Sequence, residues 1–429
     1  MHLGSAAGPS DTWQPGAAFD NSAGVQVGSG NNVQVNNFYG RDFPTPAEPG
    51  HRTGELAPVF RIGLLGPARI GKTALITALL EGTPDQLAGT GLTICPADPV
   101  TGARLAQNRR HLDGGIAGGK FTTVSLRPTS YPFTFRLTLD PGVPDAEISI
   151  EVLDFPGGWV NPADRPPQAA SEWRECREFV TQSTILAVPV DATLLMEAAR
   201  SSHYEAMDRL LSITQVEEVA RDWAIERSRR RAELAQVVFC PVKCETYFND
   251  NGGQRNRAAE LSRRFRDAYG AVITAIKDEA PHATLLYAPV DTIGCVEVES
   301  ADWPVDDGTG EATFAPSYRI RAPHRISRIG TDDLLRAICQ HLVEARRTLD
   351  ARDAEILAKL AAEARESASL DQGFIRNARL WLTSEQSARE QAAWTRSREA
   401  EAASRRVTAL DAVIRRIAES RFGPRTEVL

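Results

Sequence analysis

The 429-residue sequence predicts an α/β protein whose mostly parallel β-sheet is flanked by helices. Two observations lead to this prediction. Between residues 59 and 348, short runs of apolar residues alternate with longer segments of helical periodicity. Several of these runs, such as the one at 235–240, are apolar at nearly every position, as expected for strands buried on both faces.

The predicted elements follow one another along this central part of the chain. Strands are predicted at 58–65, 132–139, 147–153, 184–190, 235–240 and 284–288. Helices are predicted at 73–81, 103–112, 169–182, 193–231, 255–277 and 331–348. Asp140-Pro141-Gly142 is a hairpin turn signal, which predicts one antiparallel strand at an edge of the sheet. The segment 297–328 is predicted to be a long polar excursion.

The two ends of the chain differ from the predicted central domain at 59–348. Residues 1–58 are rich in Gly, Ser, Asn, Pro and Ala, so we expect a disordered tail. Residues 349–429 are predicted to be a helical extension, because apolar residues such as Leu360 and Leu410 recur at helical spacing. These helices either pack on the central domain or form a coiled coil for self-association.

Composition limits the possible classes of function. A net charge of −7 gives no reason to expect binding to nucleic acid. The sequence has no apolar run long enough for a transmembrane segment and no pattern typical of a signal peptide. We therefore expect a cytoplasmic protein with reduced cysteines. The spacing of Cys240 and Cys244 does not fit a zinc site, and buried thiols are the simpler interpretation.

A glycine-rich segment lies between the first predicted strand and the first predicted helix. Its sequence is Gly66-Pro67-Ala68-Arg69-Ile70-Gly71-Lys72-Thr73, which matches the phosphate-binding pattern G-x-x-x-x-G-K-[ST]. In such a loop the backbone N–H groups surround the phosphates, the lysine neutralises their charge and the threonine hydroxyl ligates Mg²⁺. This segment predicts that the chain binds a nucleoside triphosphate and magnesium.

A second motif follows the strand predicted at 147–153. Asp154-Phe155-Pro156-Gly157 has the spacing at which an aspartate holds magnesium through water and a glycine N–H contacts the γ-phosphate. The alternative interpretation is an ordinary surface turn. The order of the two motifs along the chain favours a common site for Asp154, Gly157 and the glycine-rich segment.

On these two motifs, residues 59–345 resemble the translation-factor-like GTPases, a class that includes Ras, dynamin and the guanylate-binding proteins. A third motif, Val242-Lys243-Cys244-Glu245, resembles the base-contacting pattern Asn/Thr-Lys-x-Asp of that class. The resemblance implies that Lys243 lies over the guanine ring, that Glu245 accepts from guanine N1 and N2, and that the N–H of Ala288 faces O6. Val242 and Glu245 depart from the pattern, so ATP is the alternative to GTP.

The same resemblance implies a set of catalytic residues. Gly158 stands where Ras-like enzymes have a water-orienting glutamine, so hydrolysis is expected to be slow. Arg69 stands where guanylate-binding proteins have an internal arginine finger, which is expected to act with Lys72 and Gly157. The alternative for Arg69 is a solvent-facing residue.

The predicted magnesium ligands are Thr73, Asp154 and one further threonine that closes over the ion. Thr93, Thr122 and Thr123 are the candidates. The pair Thr122-Thr123 is favoured because it lies closest to the paired strands, and Thr123 is our choice.

A short island at 24–40 stands out from the polar N-terminal tail. Val25-Gln26-Val27-Gly28 with Asn31 and Val33 resembles the RIP homotypic interaction motif, in which valines form a dry zipper and Gln and Asn form ladders. The resemblance implies self-association, or an effector with a matching motif. A polar linker is the alternative interpretation.

Together the motifs resemble bacterial conflict-system NTPases, in which an N-terminal adaptor recruits an effector. This resemblance implies a GTP-binding regulatory switch with slow hydrolysis in bacterial defence or stress signalling. An ATPase scaffold and a non-hydrolysing, nucleotide-dependent assembly module are the alternatives.

Overall fold

The structure is a computed structural model that describes residues 58–81, 83–117, 121, 129–253, 255–306, 308, 310–322, 324–374, 383–419 and 423–429. All of these belong to one compact unit of the chain. The predicted disordered tail, apart from its last residue, and the motif at 24–40 lie outside the described residues.

An eight-stranded sheet and a separate two-stranded sheet contain ten described strands. Their bounds are β1 Val59–Leu64, β2 Thr93–Pro96, β3 Phe133–Asp140, β4 Ile148–Asp154, β5 Ile185–Asp191, β6 Gln236–Val242, β7 Thr284–Tyr287, β8 Val296–Asp302, β9 Ala315–Ile320 and β10 Glu427–Val428. The large sheet has the order β10-β7-β6-β5-β1-β4-β3-β2, and its central neighbours from β7 to β4 are parallel. The predicted α/β class with a mostly parallel sheet is confirmed.

Helices flank this sheet. Their bounds are α1 Lys72–Leu80, α2 Thr83–Gln86, α3 Pro99–Ala117, α4 Ala170–Gln182, α5 Ala192–Glu197, α6 Ser201–Leu211, α7 Ile213–Arg229, α8 Ala258–Glu279, α9 Thr331–Phe374 and α10 Thr383–Glu419. The region predicted as helical at 193–231 contains three helices, and Ser212, with φ of 50°, separates the last two. None of the described helices is apolar over a length that could cross a membrane.

The edges of the large sheet differ from the prediction. β3 pairs antiparallel with β4 as the hairpin signal indicated, but the edge strand is β2, which pairs antiparallel with β3. At the opposite edge, β10 pairs antiparallel with β7. β2 has four mostly exposed residues and β10 has two, so neither strand has an apolar pattern that marks it in the sequence.

The polar segment at 297–328 also contains regular structure. β8 and β9 pair antiparallel and form the separate two-stranded sheet, with a register shift between Val298 and Ser300. Along β9 half-buried residues alternate with exposed ones, which is typical of a strand with one solvated face.

The helical extension is continuous with the central domain. The predicted boundary at 348/349 lies inside α9, a helix of 44 residues. No Gly or Pro interrupts the sequence from 331 to 372, so nothing in the chain ends the helix there. α10 packs along α9, and its buried residues Leu410, Val413 and Ile417 join the core cluster that also contains Leu334 of α9.

This packing predicts that α10 contributes to the stability of the sheet. Leu410→Ala should lower the free energy of unfolding by about 2–5 kcal/mol, because it removes a fully buried leucine and leaves a cavity. Ile356→Ala is the matched control, since Ile356 is 47% exposed on α9 and should cost well under half as much. Urea unfolding of the whole chain measures both. Equal effects of the two substitutions would contradict the shared core.

Candidate functional site

The glycine-rich segment connects β1 to α1 at the carboxyl end of the central strands. Gly71 has φ of 107°, which glycine adopts without strain, and it directly precedes the first residue of α1. Arg69, with φ of 64°, also lies in the left-handed region. The first N–H groups of α1 have no partner within the helix and carry its positive dipole end toward the loop. This geometry suits an anion.

Lys72 is buried under its own loop. Its Nζ donates to the carbonyl oxygens of Gly66 at 2.8 Å and Pro67 at 3.1 Å, and only 6% of the residue is exposed. Burial lowers the pKa of Lys72 to about 8, and the nearby Asp154 carboxylate partly opposes that effect. The ammonium group is therefore poorly compensated inside the protein and is placed to meet an anionic ligand.

Three side-chain oxygens converge beside the first turn of α1. The hydroxyls of Thr73 and Thr129 both donate to Oδ2 of Asp154, at 2.7 and 2.9 Å, and the two hydroxyl oxygens are 3.0 Å apart. The other carboxylate oxygen, Oδ1 of Asp154, is buried without a hydrogen-bond partner among the described residues. One carboxylate with neighbouring hydroxyls is a donor set that fits Mg²⁺, which takes its remaining ligands from phosphate and water.

Thr129 is a site residue that sequence analysis missed. The chosen Thr123 and its neighbour Thr122 lie outside the described residues. Thr93, the remaining candidate, is the exposed first residue of β2 and pairs with Asp140 at the edge of the sheet. The criterion of closeness to the paired strands favours Thr129 over all three, since β3 begins only four residues later, at Phe133.

Gly157 packs directly on the glycine-rich segment at 66–73. β4 lies next to β1, so the turn that follows β4 reaches the loop that follows β1. A Cβ atom on Gly157 would lie 2.2 Å from the carbonyl oxygen of Pro67 and 2.4 Å from the nitrogen of Ala68. Only glycine permits this approach of two backbones, so the predicted pair Asp154 and Gly157 lies at the same site as the glycine-rich segment.

Lys243 lies on the other side of the loop, after β6. Its Nζ donates to the carbonyl oxygen of Arg69 at 3.2 Å and contacts the carboxylate of Asp191. Burial acts to lower the pKa of Lys243, but Asp191, Tyr318 and Glu245 together outweigh it and the pKa is raised. Asp191 ends β5 and caps α5 by accepting from the N–H groups of Thr193 and Leu194. Its position at the end of a buried strand before a helix was the available sequence signal.

Glu245 is held in a fixed orientation by the loop after β7. Its Oε1 accepts from the N–H groups of Ile293 at 3.1 Å and Gly294 at 3.0 Å, and the residue is 3% exposed. Burial and the charge of Asp291 raise the pKa of Glu245 to about 7. Val242 stands where the base-contacting pattern has Asn or Thr. Its Cγ2 packs near Gly71, 3.5 Å from the point where a Cβ atom on that residue would lie.

The predicted role of Ala288 is wrong. Its N–H donates to the carbonyl oxygen of Phe239 at 2.9 Å, and the N–H of Val290 donates to Pro241 at 2.8 Å. The pairing between β6 and β7 therefore continues past the end of β7 and uses the N–H group that was assigned to a base. Thr292 and Ile293, further along the same loop, line the cavity instead.

One cavity of about 440 Å³ joins these groups. At one end it is lined by the phosphate-binding segment with Thr129 and Asp154, and at the other by Lys243 and Glu245. Apolar residues of α3, β8 and β9 cover it, and the rings of Phe121 and Tyr318 meet edge-to-face at 6.0 Å. Charged and polar groups at both ends, with an apolar cover, suit a small molecule with an anionic group and a flat ring.

Arg69 lines the mouth of the cavity and is exposed. Within the described part of the chain, its guanidinium group has no hydrogen-bond or ion-pair partner. Its predicted catalytic role therefore remains a prediction, and the side chain is free to move toward the cavity.

Comparison with known proteins added no assignment: a scan against models of protein families found no match, and a search of curated proteins found no similar sequence.

The burial of Lys72 predicts a pH-dependent cost to stability. At pH 7 the lysine is protonated in the folded and unfolded chains, and burial of the charge costs about 3 kcal/mol. Above the folded pKa of about 8 the folded chain loses this proton first, so the cost disappears as the pH approaches the ordinary value of 10.5. Stability should therefore rise with pH in the wild type relative to Lys72→Met.

The measurement is urea unfolding of both proteins from pH 7 to pH 10. Lys72→Met should be the more stable at pH 7, and the difference should shrink as the pH rises. Lys277→Met, at an exposed lysine of α8, is the control and should show a flat difference. The same flat profile for Lys72→Met would contradict a buried charged lysine.

Proposed function

We propose that this chain binds a nucleoside triphosphate with Mg²⁺, prefers GTP, hydrolyses it slowly and acts as a regulatory switch. The observation that carries the proposal is the convergence of Lys72, Thr73, Thr129 and Asp154 at the start of α1. Elsewhere these residue types could be structural. Here they lie along a glycine-rich loop before a helix and line one cavity with Lys243 and Glu245.

Each residue has a role that its position supports. The loop N–H groups and the Lys72 ammonium would bind the phosphates, and the Gly157 N–H would contact the γ-phosphate. Thr73 and Thr129 would hold Mg²⁺ directly, and Asp154 would hold it through water. Bound magnesium neutralises charge on the phosphate oxygens. The hydrogen bonds among the three residues keep their oxygens in place for this ligation.

Slow hydrolysis is proposed because Gly158 offers no side chain to orient a water molecule. Arg69 is the group that can compensate. Its guanidinium is exposed at the mouth of the cavity, so a second copy of the chain packed against the loop could direct it toward the terminal phosphate.

Guanine preference rests on Glu245, whose carboxylate is oriented by two N–H groups and lines the cavity. A carboxylate can accept from guanine N1 and N2, and adenine lacks these donors. The second candidate is an ATPase scaffold. It is favoured by Val242 in place of a polar residue and by the Ala288 N–H, which is engaged in the sheet.

The proposed switch acts through the N-terminal segment at 24–40. We propose that nucleotide state controls self-association through this motif, or recruitment of an effector with a matching one. The role in bacterial defence or stress signalling rests on the resemblance of the combined motifs alone.

Thr129→Val tests the proposed magnesium set. It should weaken GTP binding about tenfold in the presence of Mg²⁺, because one direct ligand is lost, and should change binding little in EDTA. Thr134→Val is the matched control on β3, where the hydroxyl lies outside the cavity. Isothermal titration with GTP and ATP measures affinity and base preference together. Binding by Thr129→Val equal to the wild type in Mg²⁺ would remove Thr129 from the site, and a wild type that binds neither nucleotide would refute the proposed function.

Arg69→Ala tests the proposed arginine finger. Phosphate release should fall at least about tenfold at high protein concentration, where copies of the chain meet, while GTP affinity changes little. Arg110→Ala, at an exposed arginine of α3, is the control. Deletion of residues 1–45 should weaken the dependence of the rate on protein concentration if the N-terminal motif drives assembly. An Arg69→Ala rate equal to the wild type at every concentration would exclude the finger.

A further inference from the structure

Residues 423–429 follow the helical pair α9 and α10 and contact the loop after β7. This loop orients Glu245, and the part of the cavity at Glu245 is called the base end below. After α10, the N–H of Gly423 donates to Asp333 at 2.7 Å, β10 pairs with β7, and the N–H of Leu429 donates to Leu285 at 2.9 Å. In the sequence, this segment follows the end of α10 at Glu419 by three residues.

Arg425 is the anchor of this C-terminal segment. Its two terminal nitrogens pair with both carboxylate oxygens of Asp291, at 2.9 and 3.0 Å, and its Nε donates to Asp250 at 2.8 Å. The guanidinium carbon also lies 3.9 Å from the ring centre of Phe248. The side chain is 2% exposed. A planar guanidinium suits this geometry and an ammonium does not, because only the former can form parallel paired hydrogen bonds while stacking on a ring.

Asp291 connects Arg425 to the residue proposed to contact the base. It is fully buried, and it also accepts from Asn251 at 2.9 Å. Two and three residues further along, Ile293 and Gly294 give Glu245 the N–H groups that orient it. Asp291 therefore contributes to the position of these donors, together with the Ser327 N–H, which donates to Ile293, and Arg321, which donates to Gly294.

The loop has little freedom to adjust if Asp291 moves. Gly294 has φ of 88°, and a Cβ atom there would lie 1.5 Å from the carbonyl oxygen of Ser327. Asn251 bridges Asp291 and that same carbonyl, to which it donates at 2.7 Å. The loop is thus held between two neighbouring segments, and Arg425 supplies the cation that balances the buried charge of Asp291 beside Glu245.

We propose that Arg425 is a positioning residue for the base end of the cavity, so that docking of the C-terminal segment controls nucleotide affinity. This proposal rests on the proposed function for its link to nucleotide. It assigns a regulatory route to the helical pair: a partner that pulls α10 away from the sheet withdraws Arg425, releases Asp291 and lets Glu245 lose its orientation. The phosphate end, which the C-terminal segment does not contact, keeps its geometry.

The test compares Arg425→Lys with Arg266→Ala in the full-length chain. Arg425→Lys keeps the charge and loses the paired hydrogen bonds. Arg266→Ala, in α8, removes an exposed ion pair to Glu427 of the C-terminal segment and leaves Arg425 in place. Hydrogen exchange of the 291–295 region should become about tenfold faster in Arg425→Lys and stay unchanged in Arg266→Ala. Unchanged exchange in Arg425→Lys would overturn the proposal, whatever ligand the protein binds.

Binding measurements then separate positioning from a general loss of stability. Arg425→Lys should bind GTP about tenfold more weakly than the wild type, while its affinity for inorganic tripolyphosphate with Mg²⁺ is unchanged. An equal loss for both ligands, or no loss for GTP, would overturn the link to the base end. If the wild type binds tripolyphosphate as tightly as GTP, the proposed nucleotide function fails. The hydrogen-exchange comparison then still decides the role of Arg425.

A second measurement needs no variant. By reciprocity, GTP with Mg²⁺ should slow hydrogen exchange in the peptide covering 426–429 of the wild type, and tripolyphosphate should not. Equal exchange in this peptide with either ligand would contradict coupling between the C-terminal segment and the base end.

Discussion

The carboxylate of Asp154 is the group on which the arrangement of the candidate site depends. It ends β4, the strand next to β1, and one of its oxygens accepts from hydroxyls on two different segments, at Thr73 and Thr129. It is 1% exposed, and a carboxylate in such a place must be well compensated. The two hydroxyls and the nearby Lys72 supply part of that compensation, while Oδ1 has no hydrogen-bond partner among the described residues. The parallel pairing of β1 with β4 therefore determines where the site lies, because it brings the two loops that follow these strands together.

The predicted residues that the structure brings together are those whose position depends on local backbone geometry. Gly66 to Thr73 form a turn between a strand and the helix that follows it, and Gly157 follows Asp154 by a short fixed spacing. The structure brings both motifs to one cavity. The prediction for Ala288 was wrong because it depended on a distant contact: its N–H donates to a strand nearly fifty residues earlier in the chain. No local pattern in the sequence shows where pairing between two strands stops.

Asp191 and Arg425 were missed because their partners are distant in the sequence, whereas Thr129 meets the criterion of closeness to the paired strands and was overlooked. Asp191 contacts Lys243, and Arg425 contacts Asp291, across 52 and 134 positions. The single sequence contains these residues as ordinary polar groups in a chain with many Asp and Arg. Two short strands and the true extent of α9 were not predicted, for a similar reason. Only contacts between distant segments identify the short strands β2 and β10, and the domain boundary placed near 349 lies within α9.

The two ends of the cavity are therefore built in different ways, and this difference has a physical consequence. One end is formed by the glycine-rich loop with Thr129, Asp154 and Gly157. The loop contains two left-handed residues, Arg69 and Gly71, so part of the conformational cost of this end is intrinsic to the loop. The base end is assembled from β6, the loop after β7 and, through Arg425, the end of the chain. Withdrawal of Arg425 would thus act first on the loop after β7, which contains its partner Asp291. Under the proposed function, affinity for the triphosphate would depend mainly on the glycine-rich loop with Thr129 and Asp154, whereas selectivity for the base would depend on contacts between segments that are distant in the sequence.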